Sequence, residues 1–302
     1  MIMKIAQFIL ILMVSPFLFG VINRTKAFFA GRKGAPLFQL YYDIAKLLRK
    51  SAVYSASTTW VFIAGPIVSL SAIIVASLII PFAGCSSIIS FEGDLVLFFY
   101  LLGLARFFTC LAALDTGSSF EGMGASREVQ FAVFAEPALF MNLAALAQLT
   151  GKSSLTEIFS SSQIHYWASY GPLLFLALFA LFIVFLAENS RIPVDDPNTH
   201  LELTMVHEVM VLDHGGVDFA YILYGAAIKF WILGSLLTGI IFKGSSYGWG
   251  VDTIIFILLM VLLAVVVGVV ESTMSRLRLL KVPHYLLVAL SLSLIAFIIS
   301  LR

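Results

Sequence analysis

Between Ala187 and Gly216 the chain reads AENSRIPVDDPNTHLELTMVHEVMVLDHGG. This stretch holds His200, His207 and His214, three of the five histidines, and Glu188, Asp195, Asp196, Glu202, Glu208 and Asp213, six of the 17 carboxylates. Crowded carboxylates repel one another, burial favours their protonated forms, and imidazole exchanges protons near neutral pH. Such a set is the equipment of a proton relay. A solvated loop would contain the same residues, and composition does not choose between the two. Shared metal binding fits poorly: His200 and His207 are seven residues apart, about 10.5 Å along a helix, whereas ligands to one ion on a helix stand three or four apart.

The elements that must position these groups are built for lipid. The 302 residues are 61% hydrophobic and only 12% charged, with mean hydropathy +1.03. That composition fits a polytopic membrane protein and leaves no soluble domain for a dissolved substrate. About 20 apolar residues cross a hydrocarbon core of roughly 30 Å. Such runs recur at Ile5 to Ile22, Val61 to Ala83, Leu95 to Leu114, Val129 to Leu149, Tyr170 to Ala187, Phe219 to Phe242, Ile254 to Val270 and Tyr285 to Leu301. An all-α fold of about eight spans is expected, forming one integral membrane domain over 1–302.

Basic residues orient it. Arg24, Lys26, Arg32, Lys33, Lys46, Arg49, Lys50, Arg127, Arg191, Arg276, Arg278 and Lys281 follow the odd-numbered spans, against Lys4, Lys152, Lys243 and Arg302 on the other side. The positive-inside rule then puts the polar loops in the cytoplasm and both termini on the outer face of the inner membrane. Lys4 before the first span imitates a secretory signal, but no small-x-small cleavage site follows, so the span is expected to be retained. Cys85 and Cys110 form no C-x-x-C pattern, and neither an iron-sulfur cluster nor another redox centre is expected in this chain.

After the first span, Leu37, Leu40, Tyr41, Ile44 and Leu48 recur at helical spacing, which predicts an amphipathic surface helix, either a basic lipid anchor or a docking surface. Arg106 in the third span, Glu136 in the fourth and Lys229 in the sixth are intramembrane charges. Glu136 lies about 12 Å beyond Glu128. Ionised groups at such depth cost about 3 kcal/mol or more unless paired, so they mark ion pathways or static pairs. Gly117, Gly122 and Gly124 in DTGSSFEGMGASREVQ match no phosphate-binding spacing, and an acidic cytoplasmic loop is expected there. Asp196 before Pro197 reads as the N-cap of a helix running to Leu212, with Gly215 as its C-cap. Glu271 ends the seventh span, where it pairs with Arg276 or Arg278 or extends the row of carboxylates.

Several segments resemble one family. GRKGAP followed by Gln39, Asp43, Lys46 and Leu47 is similar to the first cytoplasmic loop of the NuoH, or complex I subunit 1, family. Ser126-Arg127-Glu128-Val129 with Glu136 resembles that family's fourth helix, and AENSRIPVDDPNTHLELTMVHEV its long loop before helix 6. The wording of that loop is nearer to the membrane subunit of group 4 nickel-iron hydrogenases of the formate hydrogenlyase kind. The resemblance runs from the first loop to Arg278. It implies a non-redox anchor that binds no cofactor itself. Hydrogenase small and large subunits would bring iron-sulfur clusters and a nickel-iron centre to the cytoplasmic loops, beside antiporter-like membrane subunits in the bilayer. It also implies a proton relay of Glu128, Glu136, Glu188, Glu202 and Glu208, with Glu271, Asp195, Asp196 and His207 joining from the residue reading. Docking would fall to Arg32, Lys33, Asp43, Lys46, Arg191 and Pro193. The histidines from Asn198 onward depart from the acidic quinone-reducing branch, and a hydrogenase needs no lipid acceptor.

Two other readings stand beside this one. The first is the NuoH component of a quinone-reducing complex I, an NADH-quinone oxidoreductase, with a quinone site between the first span, the amphipathic helix and the sixth span. The second is a stand-alone ion transporter using Arg106, Glu136 and Lys229, for which internal repeats would be expected and none is found. Nothing in the sequence points to nucleic acid.

Overall fold

The computed structural model describes residues 2–160, 163–196, 205–242 and 248–301. Among these, ten α-helices follow in order: α1 (Ile2–Phe29), α2 (Gln39–Leu47), α3 (Trp60–Ile79), α4 (Asp94–Asp115), α5 (Ser119–Thr150), α6 (Leu155–Ser160), α7 (Gln163–Glu188), α8 (Gly216–Ile241), α9 (Trp249–Thr273) and α10 (Val282–Ser300). Eight of them, all but α2 and α6, are long and apolar enough to cross a membrane. The chain is a multi-pass membrane protein. Its outward side chains are apolar too: on α9, Leu258 and Leu262 expose 62% and 57% of their surface. A helix apolar on every side is stable only where its surroundings are also apolar, as in lipid.

The most enclosed span is α8, with 67% of its most hydrophobic stretch buried against 28–50% in the other spans. Trp231 and Phe230 on it are fully enclosed. Helices α1, α3 and α7 pack on it, α4 lies against α3 and α5, and α10 closes the far side against α5 and α7. The α3–α4 pair is fastened at one end by Asp115. Its carboxylate accepts from Thr59 N at 2.7 Å and Phe62 N at 3.2 Å, satisfying donors that the start of α3 would otherwise leave unpaired.

Two expectations are corrected. The glycine-bearing segment after Asp115 is not a loop beyond Ser118: α5 begins at Ser119 and carries Gly122 and Gly124 inside it. Helix is retained there because Gly124 packs directly on Val209 and Met210, so contact offsets a weak helix former. The helix expected over 197–212 falls partly outside the described residues. Its described half forms only the 3-10 turn Glu208–Val211, because Val206 N and His207 N donate to the Asp195 side chain at 3.1 Å instead of to a preceding helical turn. The helix expected after the first span is present as α2, with Leu40, Tyr41, Ile44 and Leu47 half-buried and Leu37 and Leu48, just outside it, exposed.

Gly20 of α1 lies against the Leu37 backbone, so that an added Cβ would collide with the Leu37 carbonyl and stand 3.0 Å from its Cα. Backbone cannot swing aside as a side chain does. Gly20→Ala should therefore lower stability by about 1–3 kcal/mol, read as a reduced midpoint of thermal unfolding in detergent. An unchanged midpoint would contradict the close approach.

Candidate functional site

Arg106 sits half-way along α4, and three carboxylates from two other helices converge on its guanidinium. Its Nε donates to Glu128 Oε1 at 3.1 Å, Nη1 meets Glu136 Oε1, and Nη2 meets both oxygens of Glu188. Glu128 and Glu136 come from α5, and Glu188 is the last residue of α7. Lys229 from α8 completes the group, with Nζ 2.9 Å from Glu188 Oε2. Two cations thus face three carboxylates. The five side chains expected separately as intramembrane charges and relay acids form one network. Within it the Glu188 side chain is 3% exposed and that of Glu136 is 47% exposed, so the network runs from the protein interior to an exposed edge between α4 and α5.

A cavity of about 170 Å³ adjoins the network. Arg106, Glu128, Glu188 and Lys229 line one wall, with Arg191, Asp195, His207 and Glu208 from the segments before and after residues 197–204 on the other. Glu208 is half-buried. Its own desolvation, with Asp195 and Asp196 close by and Arg191 offsetting them in part, pushes its carboxyl up to about 7. Burial lowers His207 from its ordinary 6.5, with Glu128 opposing, so its ring is neutral at pH 7.

The remaining candidates divide. Asp195 is buried and fully engaged, accepting from Asp196 N, Val206 N and His207 N and pairing with Arg276 at 2.9 Å. It organises the turn that presents His207 and Glu208. Glu271 pairs with neither Arg276 nor Arg278: its partners are Lys26 of α1 at 2.8 Å and Arg191 at 3.3 Å. The chain leaves α9 in extended backbone at Met274, which carries Arg276 away towards Asp195. Arg191, expected at a docking surface, is buried beneath Glu271, with its guanidinium carbon 4.3 Å from the Phe19 ring centroid. Pro193 is buried too and its carbonyl accepts from Leu277 N. Neither presents a face to a partner. Arg32, Lys33 and Lys46 are exposed, and Asp43 is half-buried, accepting from Gln39. Glu202 and His200 lie outside the described residues. His214 stacks on Phe62 with ring centroids 3.9 Å apart, and burial pushes its pKa down to about 4, so it stays neutral.

Sequence reasoning missed Lys26, which only the fold brings to Glu271. It also missed Glu121, a buried carboxylate in the first turn of α5 that accepts from Asp213 N. Its seven-residue spacing from Glu128, two helical turns, was the available signal. Among the described residues no group of three or more His, Cys, Asp or Glu is placed to hold a metal ion.

The family described as NADH dehydrogenase matches residues 3–301, and the chain belongs to it. It is 31% identical to hydrogenase-4 component C of Escherichia coli (strain K12), over 98% of this chain and 95% of that protein. It is 28% identical to formate hydrogenlyase subunit 4 of the same organism, over 97% of this chain and 96% of the relative. A solved chain of the membrane-bound sulfane sulfur reductase, an archaeal respiratory membrane complex, shares the fold with TM-score 0.86 and 21% identity, covering 99% of this chain and 98% of its own.

Two predictions come from this geometry. Arg106→Gln leaves three carboxylates facing one cation inside a membrane protein. Breaking a buried pair in this way costs about 3–5 kcal/mol, measurable as a fall in unfolding midpoint, and a loss no greater than that of a surface change would contradict the network. Glu208 carries a raised pKa in the folded chain, so its contribution to stability is complete below pH 4.5 and is lost as pH rises through about 7. Melting curves of the wild type and Glu208→Gln should coincide in acid and separate towards neutrality, with the Gln variant the more stable. Parallel curves would refute the shift.

Proposed function

We propose that this chain is the non-redox membrane anchor and coupling subunit of a membrane-bound nickel-iron hydrogenase complex of the formate hydrogenlyase kind. The observation that carries the reading is the cavity. It puts Glu208, whose carboxyl holds its proton up to about pH 7, and the neutral His207 in one chamber with an ion network that extends to the exposed Glu136. Full-length similarity to hydrogenase-4 component C and formate hydrogenlyase subunit 4 supports the same choice.

On this reading the soluble arm, with iron-sulfur clusters in a small subunit and the nickel-iron centre in a large one, docks on the cytoplasmic side. Exposed Arg32, Lys33 and Lys46 and neighbouring Asp43 offer the contact. Antiporter-like subunits adjoin within the inner membrane, and both termini lie on its outer face. Reduction of a cluster above the cavity raises the proton affinity of Glu208 and His207 by added negative charge. Passed on across the cavity to one of Glu128, Glu136 and Glu188, which share Arg106, that proton removes one of the three negative charges. The pairing around Arg106 then shifts towards the carboxylates that remain charged, and the change reaches Glu136 at the far edge.

Glu136→Gln tests the reading. The variant complex, purified in mild detergent, should retain its soluble subunits and its nickel while hydrogen turnover or the proton movement linked to it falls severalfold. Wild-type turnover and proton movement in the variant would refute the relay, and a wild-type preparation bringing no nickel protein would refute the assignment.

A further inference from the structure

Three residues of α5 meet the segment that carries His207 and Glu208, and they meet it in order. Arg127 Nη1 donates to the Met205 carbonyl at 2.8 Å, where the described segment begins. Gly124, one turn earlier in α5, lies against the middle of the segment, where an added Cβ would overlap Val209 Cγ1 and stand 3.0 Å from the Val206 carbonyl. Glu121, one turn earlier again, accepts from Asp213 N at 3.1 Å, just past the end of the 3-10 turn. Residues three apart stand on one side of a helix, so the segment runs antiparallel to α5 and is held at its start, middle and end. The next acidic residue along α5 is Glu128, which belongs to the Arg106 network.

We propose that Glu121, Gly124 and Arg127 are positioning residues forming a three-point clamp that seats the Glu208 turn over the cavity, so that α5 joins the cytoplasmic segment to the intramembrane ion network. Each contact supplies something the segment lacks. A short 3-10 turn has few internal hydrogen bonds with which to fix itself, and the two end contacts satisfy a carbonyl and an amide that the turn leaves over. The glycine in the middle leaves room for the Val209 and Met210 side chains and the Val206 carbonyl to lie directly on α5, space that a side chain there would take. Asp195 and Asp196 repel the ionised form of the seated Glu208 and Arg191 attracts it, while Arg106, Glu128, Glu188 and Lys229 of the ion network line the same cavity and His207 is next to it in the chain. Releasing the turn takes Glu208 away from these groups and into water together.

This inference rests on the assignment of Glu208 as a proton-holding group, and its test needs neither partner nor turnover. The titration of Glu208 is followed by infrared spectroscopy of the purified full chain in lipid nanodiscs, with the carboxyl band identified by its loss in Glu208→Gln. Glu121→Leu and Gly124→Val should each lower the Glu208 midpoint by on the order of one pH unit, towards that of a hydrated carboxylate. Glu121→Gln, which keeps an acceptor oxygen for Asp213 N, should leave it in place. Unmoved midpoints in both disruptive variants would overturn the clamp, as would loss of the whole fold in both, since a clamp on one turn leaves the spans standing. A wild-type Glu208 that titrates like a surface carboxylate would instead remove the reading on which the clamp rests.

Discussion

The structure depends on one guanidinium serving three carboxylates inside a protein that faces lipid. Arg106 on α4 holds Glu128 and Glu136 of α5 and Glu188 of α7, and Glu188 in turn holds Lys229 of α8. None of these charges is tolerable alone at that depth, so the four helices are bound to one another by the need to keep the charges together. The same sharing makes the group responsive. Two cations do not fully satisfy three carboxylates, and protonating any one of them lets Arg106 move closer to the others. A buried pair of equal and opposite charges would have no such freedom.

The segment just after α7 connects this network to the rest of the molecule. Glu188 belongs to the Arg106 group. Arg191, one turn on, reaches Glu271 of α9, which Lys26 of α1 also holds. The Pro193 carbonyl accepts from Leu277 N, and Asp195 pairs with Arg276 while accepting the amides that begin the Glu208 turn. A stretch of eight residues therefore fixes the C-terminal ends of α1 and α9 and shapes the wall of the cavity. Polar groups this numerous in one short loop look like solvated surface in the sequence; in the fold, Glu188, Arg191 and Asp195 are buried.

Much of this was legible in the sequence, for identifiable reasons. Lipid imposes a length and a composition on each span, so all eight were readable from apolar runs. Arg106, Glu136 and Lys229 stood out as charges in such runs, and the central polar stretch marked part of the cavity's wall. What escaped was whatever depends on packing. Arg106 and Lys229 each meet Glu188 only because α4, α7 and α8 assemble around it. Glu271 was assigned neighbours by proximity in the chain, whereas its partner Lys26 lies near the opposite end. The start of α5 was hidden by glycines that read as loop, because the contact that keeps Gly124 helical lies on Val209 and Met210, far along the chain.

The central claim is that acidic groups of this chain take up protons when a docked arm is reduced. Infrared difference spectra of the purified complex, poised at oxidising and then at reducing potential, test it most directly. The account predicts a protonated-carboxyl band that grows on reduction and is lost in Glu208→Gln. A spectrum in which reduction changes only metal and amide bands, with no carboxyl signal sensitive to that substitution, would contradict it.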